Sequence, residues 1–170
     1  MMITKMPEAK DIVINTGPLL AITAALGSLS LLSDLYRQVL VPYEVKKEMT
    51  GYGPNRFGVK EFKEARFLHI QSRPVSISPI LQNTLDSGEA SVIQLALLKK
   101  IDTVCIDEAA GRRIARLYNL KVTGSLGILL RAKKEGYQIS LMQSIEQMRK
   151  KDIYISSQLI SIVLKMADEK

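Results

Sequence analysis

One histidine and one cysteine in 170 residues remove several kinds of chemistry at once. A Cys₂His₂ zinc site needs more ligands of these types than the chain has, and the lone histidine argues against a histidine-based triad. His69 lies in an apolar run, where a core or edge-strand position accounts for it better than catalysis does. Cys105 has no partner for an internal disulfide; within Thr103-Val104-Cys105-Ile106 it reads as a strand-core residue, and a reducing cytoplasm is the expected setting. Aromatic residues make up 5% of the chain, which argues against an extended base-stacking surface. The apolar stretch from Ile12 to Leu26 is broken by Asn15, Gly17 and Pro18, and only Lys5 precedes Pro7 and Glu8, so neither a membrane span nor a signal peptide is expected. No Gly-x-Gly-x-x-Gly or Gly-x₄-Gly-Lys-[Ser/Thr] pattern follows the first strand, leaving a nucleotide-binding domain without support.

What is present suits one domain over residues 1–170. The composition is 46% hydrophobic, enough for a sizeable core. Twenty-four Lys and Arg against seventeen Asp and Glu give a net charge of +7, a balance that favours polyanionic partners.

Short β-rich runs alternate with helical patterns. Strands are expected at Ile12–Ile14, Gln38–Val41, Phe67–Ile70, Thr103–Ile106 and Lys121–Thr123, and strands separated by helices imply a mainly parallel sheet. Helices are expected at Pro18–Leu26, Leu29–Tyr36, Pro42–Met49, Glu89–Lys100 and Glu108–Tyr118, the last with Ile114 and Leu117 facing inward. Residues 51–58, Gly-Tyr-Gly-Pro-Asn-Arg-Phe-Gly, carry the signals of a loop able to act as a flap. Helices at Leu141–Lys150 and Ser157–Met166 close the chain; the second is apolar enough either to pack on the core or to meet another subunit, and a homodimer is expected.

Ligands of open α/β sheets sit at the carboxyl ends of the strands. Asn15, Glu48, Glu89 and Asp107 all fall at strand ends or in the helices beside them. Each also has an ordinary explanation. Asn15 would cap the helix opening at Pro18, Glu48 would belong to a solvated face beside Lys46 and Lys47, Glu89 would form a capping box with Asp86, and Asp107 would cap the helix starting at Glu108. As a group they suggest more: Mg²⁺ or Mn²⁺ takes oxygen ligands, and phosphodiester hydrolysis uses such an ion without histidine or cysteine.

Five segments in order carry a family resemblance: Ile12-Val13-Ile14-Asn15-Thr16-Gly17-Pro18-Leu19-Leu20, Val41-Pro42-Tyr43-Glu44-Val45-Lys46-Lys47-Glu48, Leu85-Asp86-Ser87-Gly88-Glu89-Ala90, Ile106 to Ala115, and Val122 to Leu130. With these the chain resembles PIN-like domains related to VapC-type toxins, in particular a prokaryotic branch of them. The resemblance implies a three-layer α/β/α sandwich around a mainly parallel sheet of about five strands, a divalent-metal centre at Asn15, Glu48, Glu89 and Asp107, single-stranded RNA as substrate, and in many relatives an antitoxin partner. It departs at the first acid, where the family usually has aspartate and this chain has Asn15. The amide oxygen can still bind a metal but brings no charge, so a weaker single-ion site is expected rather than two ions about 3.5 to 4 Å apart. A metal-dependent endoribonuclease is therefore one expectation, and an inactive RNA- or protein-binding module is the other. Thr16 and Ser125 are candidates for positioning substrate. Thr123-Gly124-Ser125 before a helix would face a phosphate or supply a cap at Thr123 or Ser125, and Arg112 and Arg113 would line a backbone groove or only solvate a helix face.

Overall fold

The computed structural model describes residues 9–169; the expectations resting on Lys5, Pro7 and Glu8 lie outside them. The five strands are β1 (Asp11–Ile14), β2 (Gln38–Val41), β3 (His69–Ile70), β4 (Thr103–Cys105) and β5 (Lys121–Thr123). The helices are α1 (Thr16–Leu26), α2 (Ser30–Leu35), α3 (Tyr43–Thr50), α4 (Val59–Glu64), α5 (Pro79–Thr84), α6 (Ser87–Lys99), α7 (Ala109–Leu117), α8 (Ser125–Lys134), α9 (Leu141–Lys150) and α10 (Ser157–Met166).

All strands run parallel in the order β3-β2-β1-β4-β5, and the flanking helices complete an α/β sandwich. Ile12, Val13, Ile14, Val104 and Cys105 are fully enclosed. Their unbroken apolar runs are what a parallel strand covered on both faces requires, and each large side chain buried there contributes about 1.5 to 3 kcal/mol. Cys105 is free and sits in the sheet core. Helix α6 packs on β1 and β4 with α3, α5 and α7 beside it, whereas α1 packs against α8 and α9, and α10 rests on α8 and α9. The C-terminal helices thus join the body, yet α10 leaves Leu159, Ile162 and Met166 about half exposed on its outer side. None of the helices among the described residues is long and apolar enough to cross a membrane.

The strand order places the site. From β1 the chain moves outward to β2 and β3; from β4 it moves the other way to β5. The strands β1 and β4 are therefore where direction reverses, the switch point at whose carboxyl ends open α/β sheets form their ligand crevice. The Asn15 N–H donates to the Cys105 carbonyl at 3.1 Å across this junction.

Several local expectations are corrected. The run from Phe67 pairs only at His69–Ile70, an exposed edge strand. Helix α1 starts at Thr16 rather than Pro18, because Asn15 is already extended at the N-cap position. In α7 the inward face is Gly111 and Ala115, while Leu117 is 73% exposed. Only a small residue fits where Gly111 meets Ile106 and Glu89; Ile114 packs against the core as expected, and Leu117 does not. The short helices α4 and α5 had no counterpart in the periodicity, although Ser78 before Pro79 supplies a cap signal, its side chain accepting from the Leu81 N–H.

Candidate metal and nuclease site

Asn15 occupies the N-cap position of α1 but makes no side-chain cap. Its amide oxygen Oδ1 is buried and has no hydrogen-bond partner. A buried acceptor in that state calls for an explanation such as an ion. The next residue, Thr16, donates its hydroxyl to Glu48 Oε2 at 2.9 Å, tying the end of β1 to α3. Glu48 is thereby half-buried and fixed, unlike the solvated neighbour of Lys46 and Lys47 that composition allowed.

The other oxygen of Glu48 points at Gly88, the second residue of α6. A β-carbon there would collide with Glu48 Oε1 and lie 3.2 Å from Asn15 Oδ1, so glycine lets both oxygens approach the helix start. Similar seats hold the other acids. A β-carbon on Gly111 would stand 3.2 Å from the carboxyl carbon of Glu89, and one on Gly124 would stand 2.7 Å from Asp107 Oδ1. Each acid thus lies against a glycine in the first turn, or at the N-cap, of α6, α7 or α8. Partial positive charge at helix amino ends favours carboxylates in these positions.

Glu89 follows the capping pattern expected of it, with Asp86 Oδ1 accepting its N–H at 2.9 Å. The residue, however, is only 5% exposed. Burial, then the negative charges of Asp86 and Glu108, and more weakly Glu48, push its carboxyl up to about 7, against the opposing Asp86 backbone N–H. Glu48 is also raised, first by burial and then by Asp86, with Thr16 and Arg56 opposing. At Glu89 a capped backbone N–H coexists with a carboxyl set among other acids.

Asp107 does not cap α7, whose N-cap is Glu108 with no side-chain bond. It is turned instead onto α8, accepting the Ser125 N–H at 2.7 Å and the Ser125 hydroxyl at 2.9 Å. This also corrects the expected Thr123 or Ser125 cap: Gly124 is the N-cap residue, without a side chain to accept a first-turn N–H. Residue Asp107 remains accessible at the cleft mouth, but the protein around its carboxyl raises the pKa by desolvation, opposed by Ser125 and Arg112. Arg112 is half-buried and donates to the Ile106 carbonyl at 2.9 Å, while Arg113 is exposed.

The structure therefore brings Asn15, Thr16, Glu48 and Glu89 to one side of the crevice and Asp107, Ser125 and Arg112 to the other. No group of three or more His, Cys, Asp or Glu among the described residues is arranged to hold a metal ion. The fit to a hard divalent cation rests on a mixed set: the orphaned Asn15 oxygen, the adjacent Glu48 oxygen, and Glu89, whose charge the neighbouring acids destabilise. Sequence patterns had not singled out Arg56, which donates to the Glu48 carbonyl at 3.0 Å. A bond to backbone leaves no side-chain pattern, and the one available signal was an arginine in the loop following the helix that carries Glu48.

None of the curated proteins matches the chain. A family model described as a PIN domain matches residues 11–169, a span that includes all five strands, the reversal point and every residue of the crevice; the chain belongs to the PIN-domain family.

Proposed function

We propose that the protein is an Mg²⁺- or Mn²⁺-dependent endoribonuclease acting on single-stranded RNA at this crevice. PIN domains are in general nuclease-type and divalent-metal dependent. The observation that carries the proposal is the unpartnered Asn15 oxygen beside Glu48, next to a glutamate whose carboxyl is raised to about 7. Around Glu89 the neighbouring charges are all negative.

Asn15, Glu48 and Glu89 would hold the ion, with Asp107 contributing from the β4 end. When bound, a divalent ion polarises the phosphodiester and lowers the pKa of water. Thr16 orients Glu48, and the two Ser125 donors orient Asp107. Arg112, beside Asp107, would meet phosphate charge, and the exposed Arg113 would add to it. Carboxyls raised by burial near other acids favour proton release when a cation arrives, so metal affinity should increase as pH rises through about 7. The expected pairing with a second copy would use the outer stripe of α10, and an antitoxin would be a separate partner.

The test is cleavage of end-labelled single-stranded RNA during a Mn²⁺ titration, comparing wild type with Asp107→Asn and Glu89→Gln. Metal-dependent cleavage lost in both variants supports the proposal; wild-type inertness, or indifference to both changes, defeats it.

A second reading, an inactive RNA-binding module, is favoured by the neutral amide of Asn15 and by the engagement of both Asp107 oxygens with Ser125. RNA binding without cleavage, persisting in Asn15→Asp with Mn²⁺, would select it.

A further inference from the structure

The chain has few aromatics, six tyrosines and three phenylalanines, but they are not evenly spread. Tyr43, Tyr52 and Phe57 lie on α3 and the loop after it, and each has a cation over its ring. Lys47 Nζ is 5.9 Å from the Tyr43 centroid, Arg56 Cζ is 4.4 Å from that of Tyr52, and Lys151 Nζ is 4.7 Å from that of Phe57. This segment also carries Glu48. The low aromatic content therefore excludes an extended platform and leaves a small one, concentrated beside the crevice.

Within it, Tyr52 and Arg56 stand apart. Tyr52 is 76% exposed, so the ring face away from the guanidinium is open. An exposed aromatic costs little to leave in water singly, but here its orientation is set: Arg56 stacks on one face while donating to the Glu48 carbonyl at 3.0 Å. That bond uses one of the five guanidinium N–H groups and leaves the others available. A positioned ring with one open face, joined to a cation and fixed to the backbone of a site acid, matches the alternating chemistry of a single strand. Bases offer π-faces, and phosphates offer negative charge. Fixing the pair beforehand also reduces the entropy lost on binding.

We propose that Tyr52 and Arg56 form the seat for one nucleotide of single-stranded RNA beside the crevice, the base stacking on the open face of Tyr52 and the adjoining phosphate meeting Arg56. The assignment rests on RNA as the substrate, as proposed above. In a duplex both base faces are covered, so the seat selects single strands.

The experiment measures fluorescence anisotropy of a short fluorescein-labelled RNA of mixed sequence, in EDTA to prevent cleavage, with its duplex as control. Tyr52→Ala should weaken single-strand binding roughly tenfold and leave duplex binding unchanged, while Tyr52→Phe should bind like wild type. Arg56→Ala should lower the salt dependence by about one phosphate contact. Equal single-strand affinity for wild type and Tyr52→Ala overturns the seat, as does a wild type that binds no RNA. Adding Mn²⁺ separates the two proposals. Binding sensitive to Tyr52 without cleavage keeps the seat and removes the nuclease, whereas cleavage with Tyr52→Ala binding normally removes the seat alone.

Discussion

Glu89 and Glu169 are the same side chain beside the amino ends of helices, yet their surroundings drive them in opposite directions. Burial raises Glu169, but Lys133 at 2.7 Å, the N–H groups of Leu141 and Met142 at 2.7 and 3.1 Å, and the Ser140 hydroxyl at 3.1 Å bring it down to about 2. Glu89 has burial and three acidic neighbours instead, and rises to about 7. A carboxylate saturated with donors at the start of α9 joins α8, α9 and the end of the chain and needs no further ligand. One deprived of them leaves a demand for positive charge, and a metal-dependent nuclease would meet that demand with its ion. Whether a carboxylate is structural or poised for chemistry is decided here by its donors, since both sit at helix starts.

The largest effect should come from breaking the poised member. Glu89→Gln is expected to reduce metal-dependent RNA cleavage by on the order of a hundredfold or more, the loss of a direct ligand exceeding the 10- to 100-fold typical of outer-shell changes. The same substitution should raise the melting temperature of the metal-free protein at pH 8, because it removes a buried charge among Asp86, Glu108 and Glu48. Activity falling while metal-free stability rises distinguishes a functional acid from a structural one. A fall in metal-free stability with cleavage per folded molecule unchanged would place Glu89 with Glu169.

Glu169→Ala should do the reverse. It leaves the Leu141 and Met142 N–H groups without acceptors and Lys133 without its ion-pair partner, a loss of about 2 kcal/mol, or roughly 5 °C in melting temperature. Cleavage per folded molecule should be unchanged. Thermal unfolding followed by circular dichroism, with cleavage measured well below the transition, checks both parts.

Gly88→Ala should have a smaller and more selective effect. Alanine improves helix propensity by up to about 1 kcal/mol, but its β-carbon would displace Glu48 Oε1, the end of a flexible side chain. Stability should hold or rise slightly while cleavage and Mn²⁺ affinity fall roughly tenfold, within the range for disturbed ligand orientation. Unchanged Mn²⁺ affinity, read by calorimetry, would show that the Glu48 oxygen beside Gly88 does not hold the ion.

The difference between these acids also shows what sequence spacing can and cannot convey. Asn15, Glu48 and Glu89 stand at strand ends or in the helices next to them, and alternation of strands and helices was enough to mark those positions. The capping of Glu89 was legible too, since Asp86 lies three residues away. The engagement of Asp107 with Ser125 spans 18 residues and crosses β5, while Glu169 reaches back 28 residues to the Leu141 N–H. Contacts of that length depend on the completed topology. Leu117 was misplaced for a related reason, as helical period gives a set of faces and only packing selects the one that turns inward.

The smallest expected effect is the pH dependence of metal-free stability, in which the two glutamates should oppose each other in separate windows. Glu89 has a folded-state pKa raised from 4.5 to about 7, so between those values the folded protein holds the proton more tightly than the unfolded chain. Stability from this group then falls as pH rises through that interval. Glu169 has a folded-state pKa lowered from 4.5 to about 2, so its contribution is present above 4.5 and is lost as pH falls toward 2. Melting temperature in EDTA, scanned across both windows, should reveal two limbs of opposite slope, each worth a few degrees. Glu89→Gln should flatten only the neutral limb and Glu169→Gln only the acid one. If either substitution flattened both limbs, the two acids would be coupled through the fold and the contrast between them would not be local.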